Sequence, residues 1–327
     1  MSKSAGRLVS GSASGTAGKR RQPSLAQLRA FAAVAEHLHF RDAAAAIGMS
    51  QPALSGAVSA LEDTLGVTLL ERTTRKVLLS PAGERLAVRA KAVLAEVGAL
   101  LEEAEAVRAP FTGALRLGTI PTVAPYLLPT VLRLVHDRYP ELDLQVYEEQ
   151  TASLLDGLAA GRLDLLLLAV PLGVPGVTEL PLFDEDFVLV TPVGHPLGGR
   201  EGVPREALRE LRLLLLDEGH CLRDQALDIC REAGREDVPA TTTAAGLATL
   251  VQLVAGGLGV TLLPRTAVRV ETSRSGQLLT ASFTAPAPTR RIALAMRTGA
   301  ARSTEYTHLA ASLREAMGEL PVRVVGE

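Results

Sequence analysis

Between Pro81 and Arg108 the apolar residues Leu86, Ala90, Val93, Val97, Leu100 and Ala104 recur at intervals of 4, 3, 4, 3 and 4. This seam wants a second helix along it, or a surface of its own domain to lie on. Either way it is one long amphipathic helix, and it divides the chain into a front and a body. Pro110 to Gly113 breaks the pattern and reads as a linker.

The front is compact and helical. Ser24 with Gln27 forms a capping box ahead of Leu28, Phe31, Ala32, Ala35 and Leu38, which follow helical spacing. A short Ala-rich helix over Asp42–Ile47 ends at Gly48, and Ser50 then caps a third helix that tolerates Pro52 in its first turn. Leu54, Val58, Leu61 and Leu65 share one face of that third helix. The basic stretch at 71–84 reads as a hairpin. Helix, short helix, Gly-containing turn and helix make a helix-turn-helix pattern, although a structural three-helix bundle has the same periodicity. In the DNA-binding version the start of the third helix enters a major groove, where Gln51 and Ser55 can hydrogen-bond base edges. Arg72, Arg75 and Lys76 in the hairpin can neutralise phosphates.

Charge follows the same division. Residues 1–109 hold 14 Lys and Arg against 10 Asp and Glu, and the remainder 20 against 26, so a basic front precedes an acidic body. Residues 1–23 are Ser/Gly-rich with scattered Lys and Arg and are expected to be a disordered basic arm. They lack the apolar core of a secretion signal, and no apolar run reaches membrane-spanning length. The expectation is a cytoplasmic chain.

The body, residues 113–327, alternates strand-like and helix-like segments. ALRLGTI, LDLQVYE, DLLLLAV, FVLVTP, LRLLLLD, GVTLLP and RRIALAM read as strands; helices are expected near 122–139, 153–160, Cys221, 247–255 and the terminus. The alternation predicts an α/β body with largely parallel sheets, long enough for two subdomains.

Only two cysteines occur, Cys221 and Cys230. A cytosolic Cys is most often a small inert core residue, two cysteines and one His fall short of a zinc site, and no C-x-x-C is present. Three features point the other way. Cys221 follows the polar run Asp217–His220 at the start of a helix, where the helix dipole favours a thiolate. Arg223 and His220 can add positive charge, with Asp224 opposing them. Nine helical residues place the two Cα atoms about 13.5 Å apart, whereas a disulfide needs roughly 4.4–6.8 Å. If the segment is helical when reduced, a bond between them requires the helix to come apart. The chain has neither G-x-G-x-x-G nor G-x-S-x-G, so no cofactor, metal or enzymatic activity is expected.

The literal residues carry more than the pattern. SQPALS at the third helix, LEDTLGVTLLER and SPAG resemble the N-terminal domain of LysR-type transcriptional regulators. GHCLRDQA with a second Cys nine residues on, IPTVAPYLLP and GVTLLP resemble the peroxide-sensing members of that family, over residues 24 to about 320. The resemblance implies a winged helix-turn-helix (24–80) with Ser50, Gln51, Pro52, Ser55, Arg72, Arg75 and Lys76 at the DNA, and a linker and dimerisation helix (81–109). It also implies a two-subdomain, periplasmic-binding-protein-like α/β regulatory domain (113–327). It makes Cys221 the peroxidatic thiol, Cys230 the resolving thiol, and Thr122, Thr151, His220, Asp224 and Arg290 the peroxide-binding residues. Arg291 beside Arg290 leaves that last register open. The implied partners are operator DNA, hydrogen peroxide, RNA polymerase, a thiol reductant and further copies of the chain as a dimer of dimers. The alternative within the family is a regulator that senses a small metabolite, with both cysteines inert.

Overall fold

A computed structural model describes residues 22–72, 77–106, 110–235, 243–273 and 276–326. The chain divides into two compact units, residues 1–91 and 92–327. The expected basic arm lies almost wholly outside the described residues.

In the first unit α1 (Leu25–His37), α2 (Phe40–Ala46) and α3 (Gln51–Leu65) are followed by β1 (Leu70–Arg72) and β2 (Val77–Leu79). The capping box forms as expected: Gln27 N–H donates to Ser24 Oγ at 3.2 Å, and Ser24 N–H donates to Gln27 Oε1 at 2.8 Å. Phe31, Val34, Leu54, Val58 and Leu61 are buried together, so α1 and α3 share one core. Antiparallel β1 and β2 form the wing. The hairpin stops at Leu79 rather than reaching residue 84, because Ser80 Oγ accepts from Gly83 N–H at 2.9 Å and starts α4 (Pro81–Ala106). Gly83 permits that junction, since a Cβ there would lie 2.1 Å from the Leu69 carbonyl oxygen. The expected seam on α4 is part buried and part open: Ala90 is buried, Leu86 packs against the first core, and Val93 and Leu100 are exposed.

The second unit contains β3 (Gly113–Thr119), α5 (Ala124–Arg138), β4 (Leu142–Glu148), α6 (Thr151–Ala159), β5 (Leu165–Val170) and β6 (Val177–Pro192). A 3-10 turn at Arg205–Arg209 precedes β7 (Leu215–Leu216), α7 (Cys221–Glu232), β8 (Thr243–Ala244), α8 (Leu247–Ala255), β9 (Thr261–Pro264) and α9 (Arg265–Thr272). β10 (Leu278–Ser282), β11 (Thr289–Arg297), α10 (Ser303–Met317) and β12 (Arg323–Val324) complete it. Two cores form within this unit. One gathers Leu165–Val170, Leu182, Phe183 and Ile292–Met296; the other gathers Phe187, Leu189, Leu214–Leu216, Cys230 and Leu262.

The expectation of largely parallel sheets is corrected. β3 runs parallel to β4 and β5, and β7 to β8, but β11 pairs antiparallel with β5 and β6, while β9, β10 and β12 also pair antiparallel with β6. The reason is β6, a 16-residue strand that serves both cores in turn. Only its second half, FVLVTP, stands out in the sequence, because the first half is interrupted by Glu, Pro and Asp.

Candidate functional site

Cys221 opens α7, with His220 as its N-cap residue. The turn before it needs Gly219, whose φ is +91° and where a Cβ would come within 2.4 Å of Gln150 Oε1. That approach brings the start of α7 against the start of α6. Thr151 is the first residue of α6, and it lines the same pocket as Cys221, where its hydroxyl lowers the energy of the thiolate. Thr122 lies two residues before α5 and is buried. Ile120, Thr122, Gln150, Thr151, His220 and Cys221 line a narrow crevice with no space wide enough for a free water molecule. On its other side Cys221 borders a cleft of about 1000 Å³, which Asp224, Arg290 and Arg291 also line. The structure thus brings Thr122 and His220 to the narrow side of Cys221 and leaves Asp224 on the cleft side, with Thr151 lining both.

Strand alternation separates the two arginines whose register the sequence left open. Arg290 turns inward and is buried; Arg291 turns outward, where its guanidinium pairs with Asp184 at 2.7 and 2.9 Å. That hydrogen-bonded pair holds the Asp184 carboxyl below the usual carboxylate range. Arg290 donates through Nε to Glu185 Oε1 at 2.8 Å, through Nη1 to Thr122 Oγ1 at 3.3 Å, and through Nη2 to the Thr122 carbonyl at 3.0 Å. Glu185 is its direct cross-strand neighbour, and Thr266 donates to the second Glu185 oxygen from both its amide (3.0 Å) and its hydroxyl (2.7 Å). Glu185 and Thr266 carry no signal in the sequence. A Glu inside a strand and a Thr at a helix start are ordinary residues until the register joins them.

The electrostatics of Cys221 differ from the sequence expectation. Burial pushes its thiol above the ordinary range, and the attraction of Arg290, the Thr151 hydrogen bond and the Leu222 amide pull it back only in part; Asp224 adds to the rise. Arg223 is not among the charges that act on the thiol; its guanidinium turns to the Leu216 carbonyl, to which it donates at 2.8 Å. Cys230 is fully buried in the second core, and its thiol is also raised by burial. Both cysteines are free thiols on one unbroken helix.

In the first unit Ser50 is the N-cap of α3, with its Oγ accepting from Ala53 N–H at 3.4 Å. Gln51 and Pro52 are exposed on the opening turn and Ser55 is half-buried. The side chain of Arg72, and all of Arg75 and Lys76, lie outside the described residues. Among the described residues no group of three or more His, Cys, Asp or Glu side chains could hold a metal ion, and no helix is long and apolar enough to cross a membrane.

A winged helix-turn-helix ahead of a two-core α/β unit with a ligand-sized cleft defines a DNA-binding transcriptional regulator. The chain belongs to the LysR family: residues 25–84 match its bacterial regulatory helix-turn-helix and residues 108–318 its substrate-binding domain. It is 85% identical over 307 residues, covering 94% of this chain and 98% of the relative, to a probable hydrogen peroxide-inducible genes activator of Streptomyces viridosporus. Among solved structures it is similar to a full-length OxyR variant of Pseudomonas aeruginosa, with TM-score 0.73 and 35% identity over 94% of this chain and 99% of that one. A hydrogen-peroxide-bound OxyR mutant of Corynebacterium glutamicum matches with TM-score 0.64 and 43% identity, over 92% of this chain and 94% of that one.

Proposed function

We propose that this chain is a hydrogen-peroxide-responsive, OxyR-like transcriptional regulator whose sensor is the Cys221 thiol. The observation that carries the reading is the convergence of Thr122, Thr151 and His220 on a pocket walled by the Cys221 sulfur. Hydroxyls both donate and accept, which matches a bound HOOH, and peroxide entry requires the pocket walls to part. The sulfur lone pair attacks one peroxide oxygen, the O–O bond breaks, and the departing oxygen takes the thiol proton to leave as water. Cys221 is then a sulfenic acid. Attack by the Cys230 thiol expels a second water and forms the disulfide. Asp224 and Arg290 complete the sensor site from the cleft side.

Since both cysteines lie on α7, the disulfide obliges that helix to unwind, and the loss of Cys230 from the second core repacks the unit. DNA is read by the Ser50, Gln51, Pro52 and Ser55 turn, with Arg72, Arg75 and Lys76 of the wing on phosphates. The working division is 24–80 for DNA, 81–109 for dimerisation and 113–327 for sensing, in a dimer of dimers that meets RNA polymerase and is reset by a thiol reductant. Intact mass and thiol counting before and after one equivalent of hydrogen peroxide test the reading. The expected result is loss of two hydrogens and two thiols, abolished by Cys221→Ser. Two thiols surviving a large excess would overturn it and favour a metabolite in the large cleft.

A further inference from the structure

The carboxylate of Glu185 belongs to this site, yet the chemistry of peroxide reduction does not call on it. Its side chain is 1% exposed and that of Arg290 is 2% exposed, and the two lie directly opposite each other on β6 and β11 with 2.8 Å between charged atoms. Thr266 closes the far side with two donors, so neither partner can turn to water without breaking several bonds. The other titratable or charged groups around the Cys221 sulfur are His220 and Asp224 on α7 and the outward Arg291–Asp184 pair at the cleft; α6 presents only the Thr151 hydroxyl. Tyr126 of α5, which donates to Glu271 at 2.7 Å, lies within the field of Arg290.

In a buried site a cation needs one counter-ion. Arg290 already has Glu185, so this buried pair is balanced without any charge on the Cys221 sulfur. Were the carboxylate absent, the charge of Arg290 would act on the Cys221 thiol without compensation. We propose that Glu185 is a specificity-determining residue of the sensor: it occupies the charge of Arg290 and so prevents the Cys221 sulfur from becoming that cation's counter-ion. The inference rests on the peroxide-sensing reading and adds a reason for selectivity. In the peroxide reaction the sulfur sheds its proton as it attacks, and the departing oxygen takes that proton up, so the thiol's own proton assists the leaving group. An alkylating agent such as iodoacetamide expels iodide, which takes no proton, so its rate follows the thiolate fraction alone. A thiol kept protonated is therefore slow toward adventitious electrophiles while remaining open to peroxide.

The test uses the full chain with Cys230→Ser, leaving one thiol, and compares wild-type Glu185 with Glu185→Asp and Glu185→Gln. Iodoacetamide alkylation is followed from pH 6 to pH 10, and peroxide oxidation by mass. Freeing Arg290 favours the thiolate, so Glu185→Gln is expected to alkylate about tenfold faster at neutral pH. Glu185→Asp, one methylene short but still charged, is expected to fall between the two, about two- to threefold above wild type. Peroxide oxidation is expected to rise less than alkylation in both. An alkylation profile for folded Glu185→Gln that matches or lags wild type overturns the inference. Should Glu185→Gln fail to fold, Glu185→Asp decides alone, and no acceleration there overturns it equally. Wild-type Cys221 untouched by peroxide overturns the functional reading and this inference with it. Peroxide oxidation alongside a flat alkylation series overturns this inference only.

Discussion

Asp228 offers a direct measure of whether α7 must come apart for the switch to close. It is exposed near the middle of the helix and forms a surface ion pair with Arg231, a type of contact worth little. Replacing it by Ala and, separately, by Gly removes that pair in both proteins and leaves a difference in helix propensity of about 1 kcal/mol. The two cysteine Cα atoms stand about 13.5 Å apart along the helix, and bonding distance is roughly 6.8 Å at most, so the reduced form has a helix there and the disulfide form cannot. The glycine of Asp228→Gly therefore burdens only the reduced form. The Asp228→Gly disulfide is expected to be harder to reduce than the Asp228→Ala disulfide by about 20 mV, a factor of about 5 in the equilibrium constant. Thiol counting after equilibration in graded dithiol buffers reads the two midpoints. Equal midpoints would show that the helix survives oxidation around residue 228, and the argument from helical rise would fail.

Three further outcomes follow from the site. Thr122→Val removes a buried hydroxyl that faces the sulfur's pocket and accepts from Arg290; peroxide oxidation of Cys221 should slow about tenfold, the value of one ordinary hydrogen bond. Iodoacetamide reactivity should barely move, and an equal fall in both would make Thr122 a tuner of the thiol instead. Gly219→Ala forces a Cβ against Gln150 in a left-handed turn, so it should lower the melting temperature and displace Cys221 from Thr151; an unchanged melt and unchanged peroxide rate would refute the need for glycine. Both thiols are raised by burial, so the folded chain keeps protons that the unfolded chain gives up above about pH 8.5. Stability should accordingly fall as the pH rises through the unfolded thiol range, and Cys221→Ser should flatten part of that slope in urea titrations followed at several pH values.

The order of helices in the front, the cap residues Ser24 and Ser50 and the Leu54, Val58 and Leu61 face of α3 were legible in the chain, because capping and helical periodicity are local; Leu65, expected on the same face, is exposed at the helix end. So was the start of a helix at Cys221, after the polar run that ends a strand; that it carries both cysteines is what the structure adds. The strand arrangement of the body was not legible. β6 serves two cores at once, and no short window of sequence reveals that a strand continues through Glu179, Pro181 and Asp184. Cys221 illustrates the same limit in its chemistry. Its position at a helix start favours a thiolate, yet burial outweighs the helix, and the nearby cation is Arg290 from a distant strand rather than Arg223 two residues away. Arg290, Glu185 and Thr266 are far apart in sequence and meet only because β6 and β11 pair in one register. Local backbone energetics are written in neighbouring residues and can be read there. The charge balance of a buried site depends on which distant groups the tertiary fold encloses together, and only the folded chain decides that.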